Sequence, residues 1–429
     1  SATACDLAAR SIVVASVKSC MRGGLRHAAI RLMSSAPAPS SRIGSTDVPC
    51  IVQMQQMLRG KTDVLSLAQG IVHWPPPAAA LDAARDAVGL PQTNAYCADD
   101  GLPELRDALK ARLAAEKGLV ASEVMVTAGA NQGYTNLVLS LLDAGDAAVL
   151  FRPYYFNHLM ALQMTGSEIV TPASTPDLQP DLAALEAEIA ARAADGRRPI
   201  RMLTLVNPGN PTGVMIPQAT VEAASALCAA HGIWLVMDNT YEHFAYDGRP
   251  PHACVEGDHV INVFSFSKAF GMMGWRVGYL AFPPALVGEL FKAQDTIVIC
   301  PTVVSQRAAL GALEAGGGSA WVAEKVAALA EQKALVLDAL APLGDAAVGG
   351  GSGAIYLFCK LPDAYADDVA VVRWLTEAHG VCLIPGSACG MPGHVRVCYA
   401  NLALDRTRDA AARLRRGVEQ LVDGTARLG

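Results

Sequence analysis

One lysine in this chain sits among residues whose types and spacing suit amine chemistry. In the stretch SFSKAFGMMGWR, Ser265 and Ser267 flank Lys268, and Arg276 follows eight positions later. Upstream lie NPGNPTG, from Asn207 to Gly213, and DNTY, from Asp238 to Tyr241. These segments supply an amine able to form a Schiff base, a carboxylate, a phenol and several donors for a phosphate. That is the set pyridoxal phosphate requires. A nucleophilic amine must be deprotonated, so Lys268 should lie where burial and cationic neighbours lower its pKa. Taken singly, a lysine is most often a surface residue; Ser265, Ser267 and Arg276 argue otherwise, because a phosphate needs several donors.

The remaining candidates follow from the same chemistry. Asp238 ends an apolar run, so it is either a helix cap or the charge partner of something buried, such as a pyridinium nitrogen. Tyr241 and Asn210 could donate to the phenolate oxygen of that ring, although an Asn before Pro211 is also an ordinary turn residue. Gly129, Ala130 and Asn131 follow a strand pattern and open a helix pattern, where backbone N–H groups bind phosphate. Tyr155 could stack on a cofactor ring or belong to the core. Arg396 lies in the apolar run HVRVCY, where an unpaired charge is costly. A guanidinium there makes sense as a fork for a carboxylate, structural or from a substrate. The Ser265-x-x-Lys268 spacing also occurs in serine acyl-enzymes, but the SDN and KTG partners of that motif are absent.

These residues need elements to converge them. Apolar runs at 123–129, 147–151, 202–208, 233–238, 261–267 and 277–282 read as strands, with helix patterns such as Thr220 to His231 between them. Near-continuous apolar strands alternating with helices imply an α/β fold with a mostly parallel sheet covered on both faces. The last two runs are separated by a short loop, which allows one antiparallel pair. In such sheets ligands bind at the carboxyl ends of the strands. Asn210, Asp238 and Ser265–Lys268 all follow such an end, so three strands should deliver polar groups to one edge. Residues 320–340 read as one long Ala-rich helix, and 353–362, 381–386 and 394–399 as a small antiparallel sheet. The glycine runs at 316–318 and 349–351 read as loops.

Bulk properties narrow the classes. The chain has 429 residues and a formal net charge of −6, with no basic stripe beyond its N-terminal segment. A nucleic-acid-binding role is disfavoured, and no apolar run approaches the roughly 20 residues of a membrane helix. The eleven cysteines contain no CxxC pair and read as reduced thiols, Cys382 and Cys389 included. No zinc-protease, P-loop or dinucleotide signature appears, so no metal is expected. Residues 1–45 carry six basic residues against the single acid Asp6 and read as an organellar transit segment, mitochondrial or plastid, followed by a flexible exit at Ser35–Ser41. An ordinary disordered tail on a cytoplasmic protein is the alternative.

The spacing Asn210, Asp238-x-x-Tyr241, Ser265-x-x-Lys268, Arg276 and Arg396 resembles the class I aminotransferases of fold type I across about residues 50–425. The resemblance implies a large domain at 91–320 around a seven-stranded, mostly parallel sheet. It implies a smaller α+β domain made of 46–90 and 321–429. It also implies a homodimer in which Tyr96 reaches the partner subunit's cofactor phosphate, and a substrate-carboxylate site lined by Gly70, Asn210 and Arg396. The motifs LAQGIVHWPPP, PYYFNH and DNTYEHFAYDG are most similar to aromatic aminotransferases of plants. Such enzymes exchange the amino group of methionine or an aromatic amino acid with 2-oxo acids such as indole-3-pyruvate or phenylpyruvate, linking auxin and ethylene precursors. Trp74, Asn131 and Ile299 are then side-chain pocket candidates. Aspartate-specific members use a further arginine in the region matching Gln294 to Ser305, which here has none. A C–S β-lyase and an enzyme resembling ACC synthase would share the same site residues.

Overall fold

The computed structural model describes residues 37–248, 254–314 and 318–428. The transit-segment expectation falls almost wholly outside them. Ser41–Ser45 form a short helix, and Thr46 onward forms one compact unit.

The central sheet has seven strands: β1 (Glu123–Thr127), β2 (Ala147–Leu150), β3 (Glu168–Val170), β4 (Ile200–Val206), β5 (Trp234–Asp238), β6 (Val260–Ser265) and β7 (Gly278–Phe282). Their spatial order is β1-β7-β6-β5-β4-β2-β3. All neighbours run parallel except around β7, which is antiparallel to both β6 and β1. The short-loop argument is therefore borne out. The six predicted strands fall where their apolar runs placed them. The edge strand β3 was not read from the sequence: three partly exposed residues leave no apolar run to see.

Strand alternation divides the core into two layers, because successive side chains point to opposite faces. Ala148, Leu150, Met202 and Val236 meet Leu137, Leu141, Leu159 and Leu162 on one face. These come from helices α1 (Ala130–Leu141) and α2 (Phe156–Thr165). Ala147, Val149, Leu203 and Leu235 face the other way, toward Leu185, Val221, Ala224 and Cys228. Both faces are thus buried, which is why these strands read as near-continuous apolar runs.

A second, four-stranded antiparallel sheet is formed by β8 (Val348–Gly350), β9 (Tyr356–Lys360), β10 (Ile384–Pro385) and β11 (His394–Cys398), in the order β10-β11-β9-β8. Beside it, Leu65–Ser66 pair in parallel with Val381–Cys382. Two expectations need correction here. The 349–351 glycine run is partly a strand, because Gly349 and Gly350 take their register from Phe358 and Leu357 of β9 rather than from side chains. The Ala-rich stretch is two helices, Gly318–Ala327 and Ala330–Leu340. Buried Leu329 sits at the break, which no Gly or Pro marks. Among the described residues no helix is long and apolar enough to cross a membrane.

Candidate active site

The carboxyl ends of β4, β5 and β6 open into one polar cleft of about 130 Å³. Asp238 and Ser265 are the last residues of β5 and β6. Asn210, Tyr241, Ser267, Lys268 and Arg276 line the same cleft from the loops that follow, with Tyr155, Ala130 and Asn131 completing it. Eleven residues line the cleft, and ten are ones the sequence singled out; the eleventh is Thr240.

Lys268 makes no side-chain hydrogen bond or ion pair to the described residues. Burial and the nearby Arg276 cation lower its amine to about 8, against the opposing pull of Asp238. About a tenth of the amine is therefore neutral at pH 7, far more than for an ordinary lysine. Ser265 Oγ accepts from Ser267 N at 3.1 Å and shapes the turn ahead of the lysine.

Asp238 is buried, and Thr240 N donates to its Oδ1 at 2.9 Å. Its other oxygen, Oδ2, lies 3.2 Å from His158 Nε2. Burial pushes this carboxyl upward, but the His158 contact and the Thr240 bonds outweigh it and hold the pKa below the usual range. Asp238 is thus an ionised carboxylate rather than a helix cap. His158 is a residue that sequence reasoning missed. It comes from α2, and its ring stacks on Tyr134 of α1 with centroids 4.0 Å apart. Its neighbours in PYYFNH carry no metal or triad spacing, so only the tertiary contact reveals it.

Gly129 is the residue before α1, with φ +85, and a Cβ there would stand 2.2 Å from Arg276 Nη2. The glycine lets the guanidinium sit against the helix N-terminus. Among the described residues Arg276 bonds only backbone carbonyls, Met273 O at 2.9 Å and Ala128 O at 3.5 Å, and pairs with no carboxylate. A cation and a helix N-terminus side by side, with two serine hydroxyls in the same lining, suit a phosphate.

Arg396 on β11 is almost fully buried. Its Nη1 donates to Asn210 Oδ1 and its Nη2 to Ala68 O, both at 2.8 Å. Among the described residues Nε has no partner and no carboxylate pairs with the guanidinium. The charge packs over the Tyr356 ring at 4.4 Å. Burying a cation without a counter-charge is costly, so this arrangement is built for an anion that arrives through Asn210.

Six predicted residues are not among those lining this cleft: Gly129 and Arg396, which stand against the lining residues Arg276 and Asn210, and four others. Gly70 packs against the Tyr356 hydroxyl. Trp74 is buried, donating to Ala269 O and stacking on Phe244. Ile299 is exposed, with a positive φ of 62° just after the helix Val287–Val298. Tyr96 is 80% exposed and is not among the residues lining its own chain's cleft.

Comparison with known proteins decides the family. Residues 62–414 match the family described as aminotransferase class I and II. The chain belongs to the class I and II aminotransferases. It is 48% identical to the aromatic aminotransferase ISS1 of Arabidopsis thaliana, over 91% of this chain and 98% of that protein. It is 31% identical to an aspartate/prephenate aminotransferase of Thermus thermophilus, over 80% and 89% of the two chains. The solved aspartate aminotransferase of Thermus thermophilus with maleate superposes with a TM-score of 0.81 at 28% identity, covering 89% of this chain and all of that one. The protein is therefore a fold-type I transferase that depends on pyridoxal phosphate, and the polar cleft fits that group: an amine unpartnered among the described residues, an ionised carboxylate and a set of phosphate donors line it together.

Proposed function

We propose that this aminotransferase exchanges amino groups between aromatic amino acids or methionine and 2-oxo acids such as phenylpyruvate or indole-3-pyruvate. The observation that carries this reading is charge. Arg396 offers one buried, unpaired guanidinium for an α-carboxylate. No second arginine or lysine occurs between Gln294 and Ser305 to meet a side-chain carboxylate. The 48% identity to a relative named an aromatic aminotransferase supports the same class.

The cofactor supplies an electron sink for the bond-breaking at the amino acid's α-carbon. The protein's own residues do the rest. Lys268 anchors the cofactor through its amine and, once released, holds and moves the α-proton as general base. Asp238, kept ionised by His158 and Thr240, partners the ring nitrogen. Arg276, Ser265, Ser267 and the start of α1 hold the phosphate. Tyr155 covers a ring face, and Tyr241 and Asn210 donate to the ring oxygen. Arg396 fixes the substrate carboxylate with Asn210 and the backbone at Gly70. The protein works as a homodimer, with exposed Tyr96 donating to the partner subunit's phosphate cradle, and residues 1–45 direct it to an organelle.

The test is a substrate series. Phenylalanine and methionine are expected to outpace aspartate by at least roughly tenfold in kcat/KM, since one missing charge-assisted pair is worth about 1.5–3 kcal/mol. Equal rates with aspartate would sink the substrate assignment while leaving the aminotransferase family intact.

A further inference from the structure

Tyr356 lines no part of the cleft, yet it touches three of the residues that build the site. It stands on β9 beside Arg396 of β11, two positions from Phe358, the residue that pairs with Arg396 in register. Its ring lies under the Arg396 guanidinium at 4.4 Å. Its hydroxyl is in hydrogen-bond contact with the Tyr241 hydroxyl. That hydroxyl fills the space where a side chain at Gly70 would sit: a Cβ there would stand 1.9 Å from Tyr356 Oη.

We propose that Tyr356 is a positioning residue that couples the substrate-carboxylate arginine to the phenol facing the cofactor ring. This inference rests on the site reading above. Tyr241 has a single proton. If Tyr241 donates it into the cleft, the bond between the two hydroxyls must run from Tyr356 Oη to the Tyr241 oxygen. Burial raises the Tyr356 phenol, so it keeps its proton and remains a donor. The Arg396 cation over its ring polarises that O–H. Consecutive hydrogen bonds strengthen one another, so the donor strength of Tyr241 depends on Tyr356 and, through it, on Arg396.

The two parts of Tyr356 are separable by substitution. Tyr356→Phe keeps the ring beneath Arg396 and removes the hydroxyl. Loss of a donor to the cofactor's ring oxygen disfavours the deprotonated chromophore. In the enzyme reconstituted with pyridoxal phosphate, the pH midpoint of the visible absorption band is expected to rise by roughly 0.5–1 unit, the equivalent of one neutral hydrogen bond. The KM for phenylalanine should stay within about twofold of the parent. Tyr356→Leu also removes the ring and should raise that KM roughly 3- to 30-fold. In a Tyr241→Phe background, Tyr356→Phe should produce no further shift of the midpoint. Coincident midpoints for the parent and Tyr356→Phe overturn the coupling and leave the site reading standing. A parent protein with no titrating visible band overturns the site reading, and this inference with it.

Discussion

Tyr241 and Glu242 are consecutive residues that serve two different kinds of buried polar region. Tyr241 faces the cleft, where Lys268 and the exposed Arg276 have no carboxylate in contact among the described residues; nor has Arg396, buried beside it against Asn210. Glu242 faces a closed cluster, 2.9 Å from Lys117 and 3.2 Å from Arg112, with His243 beside it at 3.4 Å. Arg112 Nη2 also lies 2.8 Å from His243 Nε2. In the cluster every charge has a protein partner. Burial would raise Glu242, but Arg112, His243 and Lys117 hold it well below the carboxylate range. In the cleft the cations wait for partners that are not side chains. Paired buried charge belongs to the scaffold, whereas charge left without a counter-charge in and beside the cleft belongs to the ligand.

Four substitutions or titrations test that contrast. Removing Lys268 should produce the largest effect on turnover: Lys268→Ala lowers kcat by roughly 10⁴-fold or more, since it deletes both the anchor and the general base. Urea unfolding of the apo-protein should show no loss of stability, because the amine has no partner to abandon. The mirror image is Glu242→Ala, which strands two buried cations and should cost about 3–5 kcal/mol in the same unfolding assay. A stable Glu242→Ala protein, or a Lys268→Ala protein that unfolds early, breaks the comparison.

The cluster also predicts a pH dependence. Burial lowers His243 to about 4, with Arg112 and Lys117 acting in the same direction against Glu242. An unfolded histidine titrates near 6.5. Between these values the unfolded chain binds the extra proton. Stability should therefore fall as pH drops from about 6.5 to about 4, by about 3 kcal/mol at most, and be flat just above that window. His243→Gln should flatten this limb in denaturant titrations across pH. The smallest effect is expected at Arg396. Arg396→Gln should raise the KM for phenylalanine roughly 10- to 100-fold through the lost charge-assisted bonds, with no stability penalty comparable to that of Glu242→Ala.

Most of the site was legible because its residues lie at the ends of strongly apolar strands, where polar side chains stand out. Asp238 and Ser265 could be placed by that pattern alone. His158 and Tyr356 could not. Each works through a contact made between distant segments, His158 across 80 residues to Asp238 and Tyr356 across 115 to Tyr241, and neither sits in a local pattern that signals it. The Arg112–Lys117–Glu242–His243 cluster was invisible for the same reason, since a helix with charged residues reads as a solvated face. Edge strand β3 and the helix break at Leu329 were missed because partial exposure and an Ala-rich composition leave no periodic signal.

The central claim is tested most directly by adding phenylalanine, with no 2-oxo acid, to the purified protein loaded with pyridoxal phosphate while recording the visible spectrum. The visible band should bleach in proportion to the sites present, stay bleached, and return when phenylpyruvate is added. A band that recovers unaided with release of ammonia, or one that phenylalanine leaves unchanged, would contradict the account.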